Sequence, residues 1–459
     1  MMLFSRFDKV LISASVIFGA FFGGPPAFSQ DAPVDENDLF SDTSSVVASS
    51  TLAPPAAAAL EKPKTTSMSG VIQTAFLGAG NRDWMSEFHR SDFTVSNFIV
   101  GNLMLDIRLP QGVKAFANLE TQYIPVNSSV LVGLREMFVD ANVKKKVYLR
   151  LGKQVLQWGR CALWNPTDLI NVEKKLFIQK IGYREGAYGV KMHIPFGTAF
   201  NIYGFLDTKN ASSVDSLALA GKFEFLLGGT EMAFSLWDKK SFHPVAGYDV
   251  STRLLGLDIL GEVSVSNGAN TFSLGERNGV LVRAKSDDWQ TKACVEIGRQ
   301  FDFFNFPRAL TVTGSFYYNG PGYGDNFLAD TSLHPFEGGG LLSPIFSQGT
   351  WGTSTTPRQE TKRDFFMNNN LYEQHNFSKY YAALFTSVGR FFMTGLSSQL
   401  NAVYNLQQNS MILSGGVTYT SLNEFFTGIL LSGYIGKENT EYTFQNQALT
   451  VQVTAGLTF

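Results

Sequence analysis

Cysteine is nearly missing from this chain, with two in 459 residues, Cys161 and Cys294. They form no C-x-x-C pair, and the five histidines (His89, His193, His243, His334, His375) are scattered. No ligand set for a metal is therefore visible, and no cofactor is expected. Charge is also scarce. Asp, Glu, Lys and Arg make up 17% of the chain and nearly cancel, leaving −2. Soluble domains carry roughly 25%, and nucleic-acid binding needs a basic excess that is absent here. There is no G-x-S-x-G, and Gly320-Pro321-Gly322-Tyr323-Gly324 lacks the Gly-Lys-Ser/Thr ending of a phosphate loop, so no enzyme is expected. Beyond the N-terminus no apolar stretch approaches the roughly 18 residues of a spanning helix. A fixed repeat of about 20–30 residues, the mark of a β-helix, is missing too.

The N-terminus has Arg6 and Lys9, an apolar run from Val10 to Gly24, Pro25-Pro26, then Ala27-Phe28-Ser29. This predicts a secretory signal peptide over 1–29. Residues 30–68, with Leu52-Ala53-Pro54-Pro55-Ala56-Ala57-Ala58-Ala59 at their centre, have no apolar periodicity and predict a disordered Ala/Pro-rich periplasmic lead. An exported chain without a spanning helix is either soluble outside the inner membrane or a barrel in the outer one, since only helices and closed barrels satisfy backbone groups in lipid.

What the chain does have is a two-residue rhythm. Counting back from Phe459 gives Leu457, Ala455, Val453, Val451 and Leu449 on one face, against Thr458, Gly456, Thr454, Gln452 and Thr450 on the other. Successive strand side chains face opposite ways, so this strand is apolar on one side and polar or small on the other. The same alternation recurs at 104–109, 113–120, 147–152, 198–207 and 396–405. Tight turns near Pro110, Asn142, Pro195, Gly228, Phe391 and Ser421 take turns with longer joints at 80–92, 158–183, 240–251, 320–378 and 437–448. That asymmetry, with 40 Phe and 16 Tyr for aromatic girdles, predicts an all-β fold over 69–459. It is a transmembrane antiparallel β-barrel of about 18 strands in the bacterial outer membrane, with 16 as the alternative. The joint near 264–275 is long for its side and that at Ser286-Asp287-Asp288 short for its own. The partners expected are outer-membrane lipid, the barrel-assembly machinery (with Phe459 as the insertion signal) and small-molecule solutes. Monomer and trimer both stay open.

The most distinctive stretch runs Arg150-Leu151-Gly152-Lys153-Gln154, then Trp158-Gly159-Arg160, then Trp164-Asn165-Pro166-Thr167-Asp168-Leu169-Ile170-Asn171. It begins as a strand and breaks into a loop with strong turn chemistry. Val172–Ile181 then reads as briefly helical. This L-G-K-Q-x-x-x-x-W-G and N-P-x-D-x-x-N pattern resembles a group of bacterial outer-membrane porin-like families, relatives of the alginate-type export porins among them. The resemblance covers about 30 residues and implies a passive or selective channel with this loop folded inward.

Arg150, Gln154, Trp158, Arg160, Trp164, Asn165, Asp168 and Asn171 are thus pore or loop candidates, with Arg108 and Glu120. Their roles stay open between pinning the loop and touching solute. By alternation Asp106, Arg108, Lys114, Glu120, Arg150, Asp207, Glu224, Lys292 and Glu296 face the lumen, a set of mixed sign that implies a hydrated bore without strong ion selectivity. Cys294 also points inward, and Cys161 could meet it and form a disulfide if its loop bends in. The long segment 320–378, with Gly338-Gly339-Gly340, Trp351 and the mixed stretch 358–363, either dips into the pore or stays on the surface. The function expected is diffusion of small hydrophilic solutes. The alternatives are uptake of hydrophobic compounds in the manner of a fatty-acid barrel, and surface adhesion from a barrel scaffold.

Overall fold

The computed structural model describes residues 65–82, 92–171, 186–336 and 359–459, apart from 110–111, 126–127, 157, 210, 391, 394 and 422–423. The expected signal peptide, nearly all of the lead, the helix at 172–181, Gly338-Gly339-Gly340 and Trp351 lie outside the described residues. The alternating stretches form strands β1 (Thr66–Asn81), β2 (Phe93–Leu109), β3 (Val113–Ile124), β4 (Ser129–Val143), β5 (Val147–Gln154) and β6 (Ala187–Phe196). There follow β7 (Phe200–Asp207), β8 (Ala218–Leu227), β9 (Thr230–Lys239), β10 (Val245–Leu254) and β11 (Leu257–Asn267). After a side hairpin, β12 (Ser273–Arg277) and β13 (Val280–Ala284), come β14 (Trp289–Phe303) and β15 (Phe306–Asn319). A second side pair is β16 (His334–Pro335) and β17 (Gln359–Glu360), and the chain ends with β18 (Tyr380–Val388), β19 (Leu396–Asn405), β20 (Ser410–Thr420), β21 (Phe425–Ile435) and β22 (Gln447–Thr458).

Leaving aside the two side pairs, each strand pairs antiparallel with its neighbour in the chain, and β1 closes on β22 from Val71↔Thr458 to Asn81↔Gln447. The result is a closed barrel of 18 strands with no free edge. Phe459 completes the seam. Its N–H donates to the Gly70 carbonyl and its own carbonyl accepts from the Gly70 N–H, at 3.0 and 2.8 Å. The faces fall as the rhythm requires. On β22 Val453 and Leu457 are exposed on the outside, while Thr450 and Gln452 are buried inside. Among the described residues no helix is long and apolar enough to cross a membrane.

Two expectations need correction. Residues 245–251 are strand, not loop: β10 starts at Val245 and pairs with β9 from Val245↔Trp237 onward, because Val245, Gly247 and Asp249 carry the inward face. The awkward joints at 264–275 and 286–288 belong to one connection, from Gly268 to Asp288, whose β12–β13 pair is a hairpin outside the barrel sheet. One missed turn lies at Leu255-Gly256, both in the left-handed region (φ 54° and 77°), as a two-residue hairpin turn demands.

Candidate functional site: a constriction laid along one row of the wall

The loop begins where β5 ends, and Gly152 sets its direction. At φ 130°, a Cβ there would lie 2.2 Å from the Met137 carbonyl oxygen, so the strand can bend only at glycine. Just beyond, the buried Gln154 amide donates to the carbonyls of Arg150 (3.3 Å) and Gly189 (3.4 Å). The Val155 N–H donates to Glu136 at 2.9 Å. Arg150 makes a two-pronged ion pair with Asp140 (2.7 and 2.9 Å) and lies over the Phe138 ring at 3.9 Å. Both candidates are therefore buried in bonds that brace the wall at the loop's root.

Residues 158–170 then run along the inner wall. Leu156, Trp158, Leu169 and Ile170 pack with Phe205 of β7, Ala218 and Ala220 of β8, Trp237 of β9 and Val245 of β10. The loop's polar contacts fall on or beside one transverse row of the sheet. Registered side by side across β7 to β19 are Asn201, Glu224, Ala233, Asp249, Glu262, Cys294, Tyr317, Tyr381 and Asn405. The loop meets this row in order. The Arg160 guanidinium pairs with Glu224 (3.1 Å), Glu231 (2.5 Å) and Asp249 (2.5 Å). Burial alone would lower the guanidinium, but Asp249, Glu224 and Glu231 together hold it above its ordinary range. Glu262 accepts from the N–H groups of Arg160, Cys161 (2.5 Å) and Thr167 (3.1 Å), and from the Thr167 hydroxyl (2.8 Å). Glu296, on β14, accepts from Ala162 N–H at 2.9 Å. Lys222 Nζ donates to the Trp158 carbonyl at 2.7 Å and pairs with Asp249 at 3.1 Å.

Gly159 makes the approach workable, since a Cβ there would sit 2.6 Å from both Asn165 Oδ1 and a Glu262 oxygen. Asp168 N–H donates to the Asn165 carbonyl (3.1 Å), which closes the expected turn, and Asn171 ends the short 3-10 turn that follows. Trp164 stacks on Tyr317 (centroids 5.1 Å apart, 12°), and its indole N–H donates to the His375 carbonyl at 3.0 Å.

That last bond joins the second long connection. Its outer part packs Leu328, Phe365, Phe366, Leu371 and Phe377 around Leu281 of β13 in a small apolar core, with Tyr323 and Phe327 against it. A helix at Lys362–Asn368, capped by the Thr361 side chain, contributes two of these. The return leg lies against the inward face near the strand ends, where the Tyr317 hydroxyl donates to Asn376 Oδ1 at 2.9 Å. Glu441, from the β21–β22 connection, fixes it by accepting from His375 N–H (2.9 Å), Tyr381 hydroxyl (2.8 Å) and Asn405 amide (2.7 Å). Burial outweighs those bonds and raises its carboxyl to about 7, while burial lowers the His375 imidazole to about 4.

The remaining candidates lie apart from this row. Arg108 pairs with Asp106 (3.4 Å) near the tight-turn end of β2, and Glu120 with Arg135 (3.4 Å) on the wall of β3 and β4. Cys161 and Cys294 do come together, as free buried thiols. Asp249, Glu262 and Glu441, which hold most of the constriction, were not singled out from the sequence. Alternation along β11 would have placed Glu262 inward beside Leu260 and Ser264.

Fold and site together define a closed membrane-type β-barrel whose bore is narrowed by loops fastened to its inner wall. No family model and no curated protein matches the chain. Among solved structures it is similar to OccAB1 of Acinetobacter baumannii, at 12% identity over 86% of this chain and 97% of that one, with a TM-score of 0.51. That likeness shows the shared barrel fold. The chain is also similar to Pseudomonas aeruginosa OccK8 (OprE), at 9% identity over 86% and 98% with a TM-score of 0.47. Pseudomonas aeruginosa OccK2 (OpdF), solved in complex with glucuronate, stands at 7% identity over 86% and 98%, also 0.47.

Proposed function

We propose that this chain is an outer-membrane channel through which small hydrophilic solutes diffuse down their gradients, at a rate set by the loop at 158–171 and the return leg near His375. The observation that carries this is wet charge on the inner face of the barrel. Glu231 points inward from β9 and yet is 51% exposed, and Glu120, Arg135 and Glu224 of the same wall keep part of their surface open to water. Inside a dry barrel such groups would be costly. Both signs are present, which suits a hydrated bore of weak charge preference.

The lumen's large aromatic rings speak against a hydrophobic cargo. Trp158, Trp164, Trp237, Tyr317 and Tyr381 are buried in packing between loop and wall, so these rings offer no exposed apolar surface to a cargo. Planar-bilayer recording of the purified protein tests the proposal. Stable single-channel steps, with liposome swelling in small sugars and organic acids, are expected. Silence combined with saturable fatty-acid binding, or with adhesion to a host matrix, would overturn it.

A further inference from the structure

The chain has two cysteines, and the fold brings them together. Cys161 in the constriction loop and Cys294 on β14 are both almost wholly buried, and their sulfurs lie with a Glu296 carboxylate oxygen within 4.8 Å of one another. A buried residue touches about 10 others, so two cysteines scattered over this chain would meet by chance about one time in forty. Their meeting is also prepared. Glu262 stands opposite Cys294 in the β11–β14 register and accepts from the Cys161 N–H, and Glu296 accepts from Ala162 N–H. The backbone on either side of Cys161 is thus placed over β14 before any covalent bond exists.

We propose that Cys161 and Cys294 join as a disulfide while the barrel assembles outside the inner membrane, fastening the constriction loop covalently to β14. Its consequence for the bore rests on the channel reading above, but the bond itself does not. Exported compartments are oxidising, and the oxidant required is a protein or small-molecule disulfide. The Cys161 thiolate attacks that disulfide and expels one of its sulfurs as thiolate. The Cys294 thiolate then attacks Sγ of Cys161 in the mixed disulfide and expels the second. One S–S bond forms, two S–H bonds are lost, and the oxidant leaves as a dithiol with both electrons and both protons.

The step belongs to assembly. In the docked loop the hydrogen bond to Cys294, burial and the Glu262 charge hold the Cys161 thiol far above its ordinary range, so little attacking thiolate exists. The rival use of the trio is a cation held by two thiolates and a carboxylate. Glu296 is already engaged by the loop backbone, which favours the covalent reading.

The test takes full-length protein extracted from outer membranes without reductant, denatured in the presence of a maleimide and weighed intact. The expected result is no adduct before reduction and two after it, with Cys161→Ser and Cys294→Ser each giving one adduct unreduced. Two adducts on unreduced wild type, with or without one zinc per chain by elemental analysis, would overturn the bond. In bilayers, Cys294→Ser and wild type refolded under reductant should both show added flicker and substates. Traces as quiet as those of the oxidised protein would overturn the fastening role. A silent barrel that still lacks free thiols would sink the channel reading and leave the crosslink standing.

Discussion

At Gly159 the absence of a side chain decides whether a carboxylate can reach the loop. Gly159→Ala puts a methyl group into the space of the Glu262 carboxylate. The bonds that Glu262 accepts from Arg160, Cys161 and Thr167 then lengthen or break. Buried bonds to a charged acceptor contribute about 1.5–3 kcal/mol each, so the loss of docking should be on the order of 2–3 kcal/mol after relaxation. Limited proteolysis should then cut within 158–171 in the variant and spare that stretch in the wild type. Glu441 and His375 make a second prediction. The raised carboxyl stabilises docking fully below its ordinary pKa of 4.5, and that contribution is lost as pH rises through about 7. The lowered imidazole does the reverse, stabilising above 6.5 and losing this as pH falls through about 4. Between 4.5 and 6.5 the two trends oppose and largely cancel. In Glu441→Gln only the histidine remains, so docking should weaken on acidification. A fluorotryptophan at 164, whose N–H donates to the His375 carbonyl, would report this by NMR as a shift absent from the wild type.

Among the elements, the joint between β1 and β22 is the pairing of longest range, since its two strands are the first and last of the barrel. Glycine and aromatic residues fit together there. The Phe459 ring rests where a Gly70 Cβ would be (2.7 Å), and the Phe93 ring likewise covers Gly78. Aromatic cover of a strand glycine pins register. Gly70→Val would drive its Cβ against the Phe459 ring and the Asn102 carbonyl, both under 3 Å. The temperature at which the folded band disappears on a detergent gel should fall. Gly133→Ala, where a Cβ meets nothing within 4 Å, should leave it unchanged. Strand assignment from sequence failed where turn chemistry was disguised. Leu255-Gly256 sits inside the apolar run Leu254-Leu255-Gly256-Leu257 and Phe304-Asn305 between Phe303 and Phe306, so neither announces a reversal.

The whole molecule is apolar outside and polar within, and the two faces should respond oppositely to charge. Val453→Lys on the outer face of β22 should destabilise the barrel in lipid by about 2–4 kcal/mol if it lies at mid-depth, and less near an interface. Gln452→Lys, one residue away and inward, should cost less in an unfolding titration from bilayers. The sequence alone determined this inside and outside, because a period of two leaves only two faces and lipid tolerates only one of them. It also brought the strand number down to 18 or 16, and the Trp158-Gly159 pair and the Asn-Pro-Thr-Asp turn announce locally that the strand beginning at Arg150 breaks into a loop. Tertiary structure alone decided what that loop touches. Asp249, Glu262, Cys294, Tyr317 and Tyr381 are far apart along the chain and become one row only through strand register. Register is a property of paired strands, and a shift of one residue would have turned every one of those side chains to the lipid.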